Sequence, residues 1–255
     1  MKNNLILEVK KKKEFSKLPD SLIERALLLN KNEIKGTRAY LRKYFGVFLT
    51  NKVLKPKDLS NWEEVLSKHI SSKNRDYNIF YKEIVKKSPS SNFENIIDLG
   101  AGMNGFSLPS LRKNFNFKKY IGIESIGQFV DLMNRFFREE LNEKDARAIW
   151  LDLFDLDSLE KLISEFNSPK IFFLFQLLDS LENFERNFSK KLLNLILNLM
   201  SKEDFIIVSF SMRSLSGKEK INAKRTWFLK FINENFFLED DFILGDERIF
   251  IVRKN

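Results

Sequence analysis

Residues 98–109, Asp-Leu-Gly-Ala-Gly-Met-Asn-Gly-Phe-Ser-Leu-Pro, carry the densest chemistry of the chain. The run Asn95-Ile96-Ile97-Asp98-Leu99 reads as a buried strand, and Gly100, Gly102 and Gly105 then open a helix near Asn104. A second apolar strand, Tyr120-Ile121-Gly122-Ile123, ends on Glu124. Glycines let the backbone approach a ligand closely, a helix N-terminus offers free N–H groups, and a strand-end acid accepts from ribose hydroxyls. Strand, glycine turn, helix, strand and terminal acid describe a βαβ unit for an adenosine-type ligand. The plain alternative is a strand–turn–helix with no ligand.

Two ligands compete for that unit. Gly100-x-Gly102-x-x-Gly105 with Glu124 about 20 residues on fits the dinucleotide fingerprint. It fits equally the first motif of S-adenosylmethionine (SAM) methyltransferases, with Asp98 at the strand end and the turn wrapping the methionine part. Three observations favour SAM. An acid precedes the glycines; a third strand, Ala148-Ile149-Trp150-Leu151, ends in Asp152-Leu153, where adenine is usually held; and the unit starts near residue 92, behind a long helical region.

The elements that must position these residues fall into two rhythms. Residues 1–90 read as helices: Leu22, Ile23, Ala26, Leu27 and Leu29 after Pro19-Asp20, then Ile34 to Leu49, Leu59 to Ile70, and Tyr77 to Val85. From residue 91 strands and helices alternate, which signals an open parallel sheet. Lys170 to Phe175 and Asp204 to Phe210 give strands four and five, and Phe236 to Phe242 with Arg248 to Val252 a closing antiparallel hairpin. Helices are expected at 125–141, 156–166, 186–200 and 221–235. The expected fold is α/β: a Rossmann-like class I methyltransferase domain, seven-stranded with a C-terminal hairpin, over 91–255, preceded by a helical domain over 1–90. A dehydrogenase would need a further substrate domain that this chain is too short to hold.

Composition narrows the classes. The 255 residues contain 26 Phe and no Cys, which excludes disulfides, thiolate metal sites and a cysteine nucleophile. No metal is expected. The longest apolar runs, Ile171 to Phe175 and Leu195 to Met200, fall far short of the roughly 20 residues of a membrane span. No signal peptide is visible, and a soluble cytoplasmic monomer is expected. The net charge of +9 suits a polyanionic partner, most simply nucleic acid, although a lysine-rich proteome would give the same excess.

Several segments resemble one family. His69-Ile70-Ser71-Ser72-Lys73-Asn74-Arg75 followed by Phe80-Tyr81 resembles the His-x-Ser-Thr-Arg-Glu-Arg…Phe-Tyr segment of the aminoglycoside-resistance 16S rRNA (guanine-N7)-methyltransferases. Asp98 to Pro109 is similar to their Asp-Leu-x-x-Gly-x-Asn-Pro-x-x-x-Pro, and Phe129 to Asn134 to their Val-Asp-Phe-Leu-Asn helix. Phe173 to Glu182 and Val208 to Lys218 resemble their fourth and fifth strand ends, in family order. Gly105 stands where the family has Pro, Gln176 where it has Lys, and the segment after Lys220 is about two residues shorter.

The resemblance implies SAM as cofactor and a decoding-site guanine of 16S rRNA in the small ribosomal subunit as target. Asp98, Gly100 and Gly102 would then meet the methionine moiety and Glu124 the ribose. Asp152 and Leu153 would hold adenine, and Arg75 would reach the cofactor carboxylate. Gln176 would face the target, with Arg213 and Lys218 on the loop beside the flipped base. Arg38, Arg42, Lys43 and Lys52 would track rRNA phosphates, which position a protein without reading sequence. Methylation at guanine N7 needs no proton removed, which suits a chain with one His and no evident catalytic dyad. Two other readings stay open: a methyltransferase of tRNA or another substrate, and a non-catalytic ribosome-binding factor with a vestigial pocket.

Overall fold

The computed structural model describes residues 2–46, 54, 56, 58–69, 73–213 and 225–255. Its centre is a seven-stranded sheet in the order β3-β2-β1-β4-β5-β7-β6. The strands are β1 (Asn92–Leu99), β2 (Asn116–Glu124), β3 (Ala146–Trp150), β4 (Lys170–Phe175), β5 (Phe205–Ser211), β6 (Phe236–Leu244) and β7 (Glu247–Lys254). The first five run parallel, and β7 inserts antiparallel between β5 and β6. This is the class I methyltransferase arrangement, hairpin included, as the rhythm from residue 91 predicts.

β4 shows why such strands read as continuous apolar runs. Residues 170–174 are all buried, because helices cover both faces of a parallel sheet. β2 begins four residues before the predicted strand, since Asn116 pairs with Asn92 and Phe117 with Phe93 outside the apolar run. The free edge of β3 is closed by a side chain. Asn134 donates from Nδ2 to the Ala148 carbonyl (2.9 Å) and accepts the Ala148 N–H on Oδ1 (2.8 Å), as a neighbouring strand would.

The N-terminal region contains α1 (Lys2–Lys10), α2 (Asp20–Leu29), α3 (Ile34–Leu41), α4 (Trp62–Ser67) and α5 (Tyr77–Lys87). α1 lies where no helix is predicted: Ile6 and Val9 are buried, but Leu7 is 60% exposed and breaks the apolar period. The lysine run at 10–13 is partly spent on that helix's end, with Lys10 paired to Asp20 and Lys11 to Glu8. The helix predicted from Ile34 stops at Leu41 and continues as a π turn over 42–46. α4 is shorter than predicted, and Asn61 caps it by accepting the Glu64 N–H (3.2 Å). α5 packs on the sheet, with Phe80 5.2 Å from Phe175 between ring centroids and Tyr81 6.3 Å from Phe173. That packing brings residues just before it beneath the strand ends.

The remaining helices are α6 (Leu108–Asn114), α7 (Gly127–Arg135), α8 (Leu156–Ser164), α9 (Leu178–Phe184), α10 (Phe188–Leu199) and α11 (Thr226–Asn235). The helix expected over 125–141 is α7 plus a π turn at 136–140. α9 is an unpredicted helix, although Leu178, Leu181 and Phe184 are its buried residues at spacing of three. Among the described residues no helix is long and apolar enough to cross a membrane.

Candidate cofactor-binding cleft

The carboxyl ends of β1 to β5 open onto a cleft of about 340 Å³. Open α/β sheets bind ligands there, because the strands lie parallel and β1 and β4 diverge in connection. Asp98, Gly100, Gly102, Glu124, Asp152, Leu153, Arg75, Gln176 and Arg213 all line it. Sequence positions up to 138 apart are thereby brought together.

Gly100 and Gly102 have φ of 64° and 54°, the left-handed region that favours glycine. A Cβ on Gly100 would stand 2.6 Å from Leu177 Cδ1, so this turn is also a close approach. Asp98 lies buried at the floor. Its Oδ2 accepts from Asn104 Nδ2 and from the Tyr120 hydroxyl, each at 2.7 Å, while Oδ1 accepts from none of the described residues. Burial pushes the Asp98 carboxyl up to about 6 against the pull of those two bonds. Glu124 is buried too. Its Oε2 accepts the Gly102 N–H (2.7 Å) and its Oε1 the Ile126 N–H (2.8 Å), so one carboxylate braces the glycine turn and the start of α7. Burial raises the Glu124 carboxyl, and the backbone donors oppose that rise.

Asp152 accepts from Ser21 Oγ (2.6 Å) on α2 and from the Phe154 N–H (3.0 Å). The N-terminal helices thus close the end of the cleft predicted for adenine, together with an aromatic wall. In that wall Tyr44 and Phe45 lie with ring centroids 5.5 Å from Phe184, and Phe154 at 6.0 Å.

Arg75 is buried with its guanidinium against aromatic rings, 4.3 Å from Phe80 and 5.1 Å from Phe175. Burial works against its charge, but Glu247 more than offsets this and holds the group above its ordinary range. His69, also on the wall, is pushed down to about 4 by burial and by the Arg75 charge, so it is neutral at pH 7. Gln176 ends β4 with φ of 54°, strained for a non-glycine residue. Arg213 pairs through Nε with Asp246 Oδ1 (2.6 Å).

The residues expected to touch phosphates sit elsewhere. Arg38 donates to the Glu8 carbonyl, Arg42 pairs with Glu14 (2.8 Å), and Lys43 extends 5.0 Å from the Tyr44 ring. Lys52 and Lys218 lie outside the described residues. Four participants escaped the sequence reading: Asn104, Tyr120, Ser21 and Glu247. Asn104 and Tyr120 stand inside the βαβ motif and are polar groups at positions that packing buries. Glu247, an acid two residues before the apolar run Ile249 to Val252, gave no such signal, since charged residues stand at both ends of that strand.

Fold and strand-end site together define a chain with the class I methyltransferase architecture. No protein-family model matches it, and no curated protein does. Among solved structures it is similar to the 16S rRNA methyltransferase RmtF in complex with S-adenosylhomocysteine. The TM-score there is 0.76 at 20% identity, over 100% of this chain and 98% of that one. It is also similar to the 16S rRNA methylase ArmA, with a TM-score of 0.58 at 20% identity over 80% of this chain and 97% of that one. The first likeness takes in the N-terminal helices as well as the sheet.

Proposed function

We propose that this chain is a SAM-dependent methyltransferase acting on N7 of a guanine in the decoding site of 16S rRNA, in assembled 30S subunits. The observation that carries the reading is how the ionisable groups of the cleft are committed. Asp98 is held by Asn104 and Tyr120, Glu124 by backbone N–H groups, Asp152 by Ser21, and Asp179 by Arg225. None of these is posed as a general base toward an acceptor, and His69 is buried and neutral at pH 7. Guanine N7 has an in-plane lone pair and needs no base, so positioning suffices.

The residues fit a SAM ligand. The left-handed glycines allow close backbone approach, Asp98 Oδ1 is available to an ammonium group, and Glu124 stands at the end of β2 for ribose hydroxyls. Asp152, Leu153 and the aromatic wall suit adenine. When bound, SAM supplies a sulfonium methyl group. Arg75 would orient the cofactor carboxylate, while Gln176 and Arg213 would place the acceptor at the ends of β4 and β5. N7 faces the deep major groove of A-form RNA, so the guanine must be flipped out to reach the cleft. The N-terminal region, residues 1–90, would grip the subunit through Arg42 and Lys43, in keeping with the +9 charge.

The test is methylation of purified 30S subunits with SAM, followed by mass spectrometry of rRNA digests. One N7-methylguanine in the decoding-site fragment is expected. Subunits left unmethylated at every guanine, or preferential methylation of tRNA in competition, would overturn the assignment.

A further inference from the structure

The terminal hairpin places one buried acid where it touches both halves of the cleft. Glu247 opens β7 and is 5% exposed. Its two oxygens accept from Arg75 Nε and Nη2, each at 2.8 Å. Oε2 also accepts from Ser209 Oγ (2.6 Å), and that hydroxyl shares the Gln176 N–H (3.2 Å) with the Ser209 carbonyl, which accepts it at 2.9 Å. A continuous hydrogen-bonded path therefore runs from Arg75 to the strained turn at Gln176.

The path restricts what Arg75 can do. A guanidinium is a rigid planar fork, so a two-point pair fixes its plane as well as its position. Aromatic rings pack against it, and Glu247 takes Nε and Nη2. Nη1 is left, and its contact among the described residues is a long 3.5 Å approach to Asn104 Oδ1. Asn104 in turn donates to Asp98, so Nη1 stands at the end of the cleft where the amino-acid part of the cofactor is placed.

We propose that Glu247 is a positioning residue: it turns Arg75 Nη1 toward the carboxylate of a bound S-adenosyl ligand and, through Ser209, sets the Gln176 turn that faces the acceptor. This rests on the reading of the cleft as a SAM site. It makes the C-terminal hairpin, which contributes no strand-end motif of its own, the part that aligns cofactor with acceptor.

The test compares two ligands by calorimetric titration of the full chain: S-adenosylhomocysteine, and 5′-methylthioadenosine, which lacks the amino-acid carboxylate. Glu247→Gln is expected to weaken S-adenosylhomocysteine roughly 10-fold or more, the scale of a lost charge-assisted hydrogen bond. It should leave 5′-methylthioadenosine within about twofold of the parent. Glu247→Asp keeps the charge but draws it back, and serves with the same expectation if the amide variant does not fold. Equal weakening of both ligands marks a merely structural role and overturns the proposal, as does unchanged S-adenosylhomocysteine binding. Ser209→Ala should bind both ligands like the parent yet methylate saturating subunits more slowly; an unchanged rate removes the link to Gln176. If the parent binds neither ligand, the reading of the cleft fails and takes this inference with it.

Discussion

Asp98 shows how one residue trades stability for a binding site. Its carboxyl is buried and raised from 3.8 to about 6, so the ionised form is disfavoured in the folded chain. The sign follows from linkage. Between those values the folded state binds more protons than the unfolded state, and stability falls as pH rises. The destabilisation is absent below pH 3.8 and complete above about pH 6. Asp98→Asn should therefore raise the unfolding free energy of the ligand-free chain at pH 7.5, by up to about 3 kcal/mol in urea titration, and the difference should vanish at pH 4. SAM binding should move the other way. Parent affinity should decline below about pH 6, as the carboxylate that faces the cofactor ammonium is protonated, while the Asn variant stays weak and flat across the range. Parallel pH profiles for the two proteins would remove Asp98 from the site.

At the scale of elements, the sheet depends on side chains that stand in for missing backbone partners. Asn134 on α7 is the clearest, since both bonds to Ala148 replace a neighbouring strand along β3. Asn134→Ala should leave a buried N–H and C=O unpaired and lower unfolding free energy by about 1–3 kcal/mol in urea titration. The loss should accompany a greater tendency to associate through the bared edge. Asn134→Asp should recover little, because a carboxylate accepts but does not donate. Glu124 works similarly, holding the turn at Gly102 and the start of α7 with one carboxylate.

At the scale of the whole molecule, the +9 charge is unevenly available. Arg38 is partly buried against the Glu8 carbonyl, whereas Lys43 is exposed. If the helical region grips rRNA phosphates, Lys43→Ala should flatten the salt dependence of 30S binding by roughly 0.7–0.9 in log–log slope. Arg38→Ala should instead lower thermal stability and leave that slope nearly unchanged. Equal slope changes from both substitutions, measured by filter binding across a salt series, would contradict this division.

The sequence by itself determined the βαβ unit, the succession of strands along the chain and the hairpin, because these follow from local periodicity and glycine placement. Asp98, Gly100, Gly102, Glu124, Asp152 and Leu153 were legible for the same reason: each sits at the end of an apolar run, and strand ends meet at one edge of a parallel sheet. α1 and α9 were not, since Leu7 interrupts one short apolar period and α9 spans only two turns. The partners of the site were decided by tertiary structure alone. Arg75 and Glu247 are 172 positions apart, and Ser21 and Asp152 are 131 apart. Nothing local joins such pairs. They meet because α5 packs on the sheet, α2 packs with α1 and α3 at the strand ends, and β7 enters the sheet beside β5. Hydrophobic burial sets those placements with no regard for polar contacts, and the buried polar groups it brings together must then satisfy one another.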